Sequence, residues 1–296
     1  MKSGNYSIFH VSIYRVIKNI AYYPLQCARN SVPVMDAFMK SCRSAGIHTV
    51  PNSLMCDAVI IWSVLWNGRM KANQEVYQHY RREGKPVIVI DVGALQRGVT
   101  WKIAIDNINA LGKYGHKHNL DKDRPRKLGI ELQNRKQTNE NIVIATQHTK
   151  SEQVAHVDYG AWLERTLREI NSTSNRLTVV RHHPRCNLGY DGSSVVESPV
   201  KLPGTYDSYD IDFGCHTMVN FNSGPAIQAV IAGCPVICDK TSLAYPMSIK
   251  LDEIENPPEI DRSQWLVEIC HTEYTVPEIE QGLWLKRLSD YLETPQ

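Results

Sequence analysis

Met218-Val-Asn-Phe-Asn-Ser-Gly-Pro-Ala-Ile-Gln-Ala-Val-Ile-Ala-Gly-Cys-Pro-Val-Ile-Cys238 holds the pattern from which the fold can be read. Met218–Phe221 is a short apolar run, as a buried strand requires. Asn222-Ser-Gly-Pro225 breaks it, and Ala226–Ala232 reads as a helix of small and apolar residues. Gly233 turns the chain, and Pro235–Cys238 is the next strand. Strand, helix, strand over so short a span is a parallel β-α-β unit. Backbone amides and the Ser223 hydroxyl at the start of such a helix form a phosphate site. A plain strand–turn–helix with a serine cap is the other reading.

The same alternation extends outward. Leu177–Val180 and Asn141–Thr146 read as strands, with an amphipathic helix over Tyr159–Asn171 between them. Further back, Ile8–Val16, Asp57–Trp62 and Pro86–Asp91 read as strands. Val34–Ala45, closed by Gly46, and Asn73–Arg82 read as helices. Residues 112–140 are polar and turn-rich, which suits an interdomain linker or a solvated loop. Pro277–Leu292 reads as a closing amphipathic helix. The expectation is an α/β protein of two Rossmann-like domains, 1–130 and 131–296, facing across a cleft. Ligands of open parallel sheets sit at the carboxyl ends of the strands.

Composition narrows the function. Lys+Arg 33 against Asp+Glu 31 in 296 residues leaves a formal charge of +2. That balance does not suit a protein that holds nucleic acid mainly by charge. No run approaches the ~18 apolar residues of a membrane-spanning helix, so no stable membrane insertion is expected. The first residues lack the apolar core of a secretion signal. None of the eight cysteines forms a C-x-x-C pair and most lie in apolar runs, which suits reduced thiols in the cytoplasm.

Candidate chemistry sits at the strand ends. Asp91 closes a buried strand and is followed by Gly93 and Arg97. A carboxylate there is placed as a base or nucleophile, its pKa raised by burial and lowered by a nearby arginine. Arg181-His-His-Pro-Arg185 delivers anion-binding groups to a sheet edge. Gln147 opens the second series at the end of its first strand. Trp62, Trp66 and Trp101 suit packing, although an aromatic at a cleft can also stack on a sugar or base. Asp121-Lys-Asp123 and Asp210-Ile-Asp212 are acidic triplets read as incidental, with a metal role at Asp210 and Asp212 the exception to watch.

Taken in order, these segments resemble GT-B glycosyltransferases of the capsule polysaccharide synthesis group, which includes Kdo transferases. Asp91-Val-Gly93-Ala-Leu-Gln-Arg97 looks like that group's acidic-acidic-Gly segment. Gln147 with Ser151 looks like its Gln motif, and His183-Pro184 like its His-Pro motif. Asn222-Ser223, Gln228-Ala229 and Gly233-Cys-Pro-Val236 look like its Ser-Ser, Glu-Ala and Gly-x-Pro-Val segments. Two departures stand out: Val92 replaces the second carboxylate, and Gln228 replaces a Glu. Arg97–Ala110 and Val276–Trp284 also look like uncharacterised bacteriophage proteins of this type.

The resemblance implies a GT-B-like glycosyltransferase with a nucleotide-sugar donor as substrate and no cofactor or metal. Asp91 and Arg97 would be catalytic. Gln147, Arg181, His183, Pro184, Asn222, Ser223, Gly224 and Gln228 would bind the donor in the second domain. The acceptor hydroxyl would belong to a saccharide or to a hydroxylated base of phage DNA, the latter tracked by Lys113, Lys117, Lys122, Arg124, Arg126 and Lys127. The enzyme would work in the cytoplasm, that of the host if phage-encoded. A non-catalytic nucleotide-binding scaffold, and a nucleotide-sugar epimerase or hydrolase, are the alternatives.

Overall fold

The computed structural model describes residues 14–28, 31–186, 188, 195–197 and 211–295. The first half contains β1 (Tyr14–Val16), β2 (Asn19–Tyr22), α1 (Val32–Ser44), β3 (His48–Pro51) and β4 (Ala58–Trp62). It continues with α2 (Asn73–Arg82), β5 (Val87–Val92) and β6 (Thr100–Ile105). After a single turn of helix, α3 (Arg124–Lys127), come β7 (Ile142–Ala145), α4 (Tyr159–Thr173), β8 (Thr178–Arg181) and β9 (Val195–Glu197). Then follow β10 (Thr217–Asn220), α5 (Pro225–Ala232), β11 (Val236–Cys238) and α6 (Ser263–Cys270). The tail is β12 (Glu273–Thr275), α7 (Val276–Glu280), α8 (Leu283–Leu288) and β13 (Glu293–Pro295). Of the first expected strand, 8–13 lie outside the described residues, as does Asp210.

Two sheets form the two lobes. The second is five-stranded, ordered β11-β10-β7-β8-β9 and parallel throughout. The first is six-stranded, ordered β12-β6-β5-β4-β2-β3. Its β3, β2, β4 and β5 are parallel, whereas β6 returns antiparallel beside β5 and β12 antiparallel beside β6. Every residue of β4 and β7 is buried. Strands covered on both faces need such unbroken apolar runs.

Local signals set the helices of the second lobe. The Asp158 carboxylate caps α4 by accepting the Ala161 N–H at 3.0 Å, and Leu163, Leu167 and Ile170 face the core. Helix α5 starts on Pro225 and stops at Gly233, whose φ is +82°. A side chain at Gly233 would also meet the Arg135 backbone nitrogen at 2.7 Å.

The tail departs from the sequence expectation. Gly282, at φ +76°, splits the expected closing helix into α7 and α8. These helices lie on the first lobe: Trp284 is fully buried, stacks on Phe38 at 4.2 Å and donates to Ser41 Oγ at 3.0 Å. With β12 in the first sheet, the end of the expected 131–296 unit is built into the lobe of the other half. Burial of large apolar groups decides this, because α1 offers the tail an apolar face.

Residues 112–140 are not simply a solvated linker. Arg124 is buried, pairs with Glu278 at 2.7 Å and donates to the backbone oxygens of Cys270 and Glu273. It is the clamp that holds the tail. The lobes also meet through backbone bonds next to the strand ends. The Trp66 N–H donates to Lys150 O and the Glu152 N–H to Val64 O, both at 2.9 Å. Trp66 packs against Tyr77 and donates to Glu152, in keeping with a packing role. All eight cysteines are thiols, and the buried pair Cys215 and Cys234 is in sulfur contact at 3.5 Å.

Candidate active site

The carboxyl ends of the two sheets face each other across a cleft of about 290 Å³. Asp91 and Arg97 line it from the first lobe. Gln147, Arg181, His183, Pro184, Asn222, Ser223 and Gly224 line it from the second. Gln228 does not. Its amide sits one turn down α5 and donates to the backbone oxygens of Ala94 and Leu95. The neutral side chain expected to hold donor hydroxyls thus ties the second lobe to the first.

On the first-lobe wall, Asp91 stands near the end of β5. Its Oδ2 accepts the Ser63 hydroxyl at 2.8 Å and its Oδ1 the Val92 N–H at 2.7 Å. Burial pushes the Asp91 carboxyl above the usual range, while those donors, Lys102 and Arg97 pull it back. Lys102 is directly opposite Asp91 in the β5–β6 ladder, and Glu273 is directly opposite Lys102 on β12. The row therefore alternates in charge, as cross-strand neighbours prefer. Burial lowers the Lys102 pKa, and Glu273 and Asp91 raise it again.

Glu273 is fully buried and organises the hairpin behind Asp91. It accepts the N–H groups of Ala94 at 2.6 Å and Leu95 at 3.1 Å, and the Thr100 hydroxyl at 2.7 Å. A Cβ at Gly93 would lie 2.3 Å from its Oε2 and 2.4 Å from Thr100 O. That close approach is what the glycine of the Asp-Val-Gly stretch serves.

On the second-lobe wall, the Asn220 side chain fixes Ser223. It donates to Ser223 Oγ at 2.9 Å and accepts the Ser223 N–H at 2.8 Å. The Ser223 hydroxyl keeps its own proton for a ligand. The next residues, Gly224 and Pro225, open α5; Pro225 has no N–H and the Ile227 N–H already donates to Gly224 O, so the Gly224 and Ala226 N–H groups are the ones left to face a ligand. Gln147 and Asn222 are joined by two bonds, Gln147 Nε2 to Asn222 Oδ1 at 2.9 Å and the Asn222 N–H to Gln147 Oε1 at 3.1 Å. Their amides are committed to shaping this loop.

His183 follows β8. Its N–H donates to Thr146 Oγ1, and its Nδ1 accepts the Arg185 N–H, both at 3.1 Å. The neutral ring therefore carries its proton on Nε2, as a donor. Burial, then Arg185, His148, Arg181 and Arg97, pushes its pKa down to about 3. These arginines come from both lobes, so among the described residues the cleft lining is basic apart from Asp91. Such a field selects an anion. Trp62, buried at the end of β4, also lines the cleft.

Sequence reading missed Ser63, Lys102 and Glu273. Lys102 had a signal, a lone charge within the apolar run Thr100–Ile105. The acidic triplets are accounted for in part: Asp121 pairs with Lys127 and Asp123 with Arg126, both at 2.6 Å. Asp212 accepts Thr138, Asn139 and the Gly214 N–H.

No protein-family model matches the sequence, and no curated protein matches it. Among solved structures, the chain is similar to KpsC of Thermosulfurimonas dismutans, a β-Kdo 2,4 transferase. The TM-score is 0.53 and the identity 12%, over 90% of this chain and 98% of that one. A β-Kdo 2,7 transferase KpsC of the same organism matches at a TM-score of 0.49 and 13% identity, over 90% and 99% of the two chains. A UDP-GlcNAc 2-epimerase of Methanocaldococcus jannaschii matches at 0.34 and 8%, over 92% and 99%. The first of these likenesses carries the fold: the chain is an α/β protein of the GT-B-like kind, two Rossmann-like lobes facing across a cleft.

Proposed function

We propose that the protein is a glycosyltransferase that moves a sugar from a nucleotide-sugar donor to a hydroxyl acceptor. One observation carries this reading: a carboxylate from one lobe faces the arginines, histidine and helix start of the other across one cleft. The donor phosphate lies against the Ser223–Gly224 start of α5 and the Nε2–H of His183. Arg97, Arg181 and Arg185 neutralise charge as the nucleotide leaves, work that a metal does in other transferases. Asp91 takes the proton of the acceptor hydroxyl as it attacks the anomeric carbon, or itself attacks that carbon in a retaining route. Closure of the lobes excludes water and limits donor hydrolysis.

A saccharide acceptor suits the charge distribution better than phage DNA. Of the cations that would track a phosphate backbone, Arg124, Arg126 and Lys127 are engaged by Glu278, Asp123 and Asp121. Lys113 and Lys117 are engaged by Asp106 and Glu268. No helix among the described residues is long and apolar enough to cross a membrane. Together with the free thiols, this suits work in the cytoplasm.

Release of nucleotide from CMP-, UDP-, GDP- and dTDP-sugars, followed with and without oligosaccharide acceptors, tests the reading. Acceptor-dependent release from one donor is the expected result. Turnover of the donor alone would favour an epimerase or hydrolase. Binding without turnover would favour a scaffold, and transfer to hydroxylated DNA with a steep salt dependence would overturn the acceptor class.

A further inference from the structure

Ser63, the residue after β4, has a φ of +62° and is buried. A non-glycine residue there is in a left-handed conformation that costs energy, and such strain gathers at functional sites. Here it has a visible product. The Ser63 hydroxyl donates to Asp91 Oδ2 at 2.8 Å while its oxygen accepts the Leu65 N–H at 3.1 Å. The Ser63 N–H meanwhile donates to Ile90 O at 2.7 Å. The same peptide group accepts, at Val64 O, the Glu152 N–H of the other lobe at 2.9 Å. A chain of bonds thus runs from the joint between the lobes to the carboxylate, each polarising the next.

We propose that Ser63 is the positioning residue of Asp91: its left-handed backbone aims the hydroxyl that holds the carboxylate ionised and oriented toward the acceptor. This rests on the reading of Asp91 as the base. The bond to Val92 occupies Oδ1 and that to Ser63 occupies Oδ2, so the carboxylate plane is fixed and each oxygen keeps a lone pair for the acceptor proton. The other charged or titratable groups facing Asp91 are Lys102 on β6, Arg97 in the hairpin loop and Tyr114 beyond β6. The His183 and arginine wall lies across the cleft. A donor to the charged form lowers a carboxyl pKa, so loss of the hydroxyl moves the Asp91 midpoint upward.

Glycine separates this role from packing. Ser63→Gly removes the hydroxyl and relieves the positive φ, whereas Ser63→Ala removes the hydroxyl and keeps the strain. Carboxyl-carbon NMR titration of the full chain, with the Asp91 signal identified by its loss in Asp91→Asn, reads the midpoint without substrate. Both Ser63 variants are expected to titrate at higher pH than the wild type, and only Ser63→Ala to melt lower than Ser63→Gly. In transfer assays the acid limb of kcat moves up, and kcat near neutrality falls about tenfold with donor KM unchanged, the loss of one charged hydrogen bond. An unmoved Asp91 midpoint overturns the proposal, as does loss of folding in both variants, which would make the hydroxyl a support of the loop alone. Absence of transfer by the wild type with every donor would overturn the proposed function instead, and the titration would still decide the role of Ser63.

Discussion

The second-lobe wall of the cleft takes its groups from sequence neighbours, Asn220 with Ser223 and His183 with Arg185. The first-lobe wall gathers Ser63, Asp91, Lys102 and Glu273 from beside or within four different strands. One wall is a set of loops at the ends of neighbouring parallel strands, tied side by side by the Gln147–Asn222 and Thr146–His183 bonds. The other depends on an antiparallel hairpin and on a strand donated by the tail. The proposed anion site should therefore tolerate distant changes, whereas Asp91, the proposed base, should be sensitive to the tail and to the loop after β4.

Substitutions can break this contrast. The largest effect belongs to Asp91→Asn: transfer falls by about 10²–10⁴-fold, the worth of a general base, while nucleotide affinity is retained in calorimetry. Next comes Glu273→Gln, which leaves Lys102 with Asp91 but without the second of its two buried carboxylates and weakens the grip on Ala94 and Leu95. Denaturant unfolding should show a loss of about 3 kcal/mol. Gly93→Ala forces a Cβ against Glu273 and Thr100, and should cost roughly 2 kcal/mol in the same experiment.

A smaller effect concerns pH. The His183 pKa is about 3 when folded, against 6.5 ordinarily. Below 6.5 the unfolded chain takes up a proton that the folded chain refuses, so this contribution to stability is complete above 6.5 and is lost as the pH falls toward 3. His183→Gln should flatten the melting temperature over that window; a profile as steep as the wild type would place the titration elsewhere. The smallest effect is expected for Gln228→Ala, which lies outside the cleft and should leave nucleotide affinity within about twofold. A tenfold loss would return Gln228 to the donor.

The same contrast explains what could be read in advance. Met218–Cys238 and Leu177–Arg185 carry their strands, turns and polar ends within short spans, so the second wall was legible, including Ser223 and His183. Asp91 was legible as a carboxylate after a buried strand. Its partners were not, because register between β5, β6 and β12 is set by packing over long sequence distances, and no local pattern marks Glu273 as opposite Lys102. The unity of the closing helix failed at Gly282, and Gln228 was assigned by its place in a motif although its reach ends on the facing hairpin. Arg124 looked like a surface cation amid charges and proved to be a buried clamp.

The most direct test titrates CMP, UDP, GDP and dTDP into the wild type, Asp91→Asn, His183→Ala and Ser223→Ala, following the melting temperature. At 100 times its dissociation constant a bound nucleotide stabilises by about 2.7 kcal/mol, a shift that is readily seen. One nucleotide should stabilise the wild type and Asp91→Asn equally, and His183→Ala and Ser223→Ala should lose the response. No response to any of the four at millimolar concentration, or an equal response in all four proteins, would contradict a donor site on the second-lobe wall.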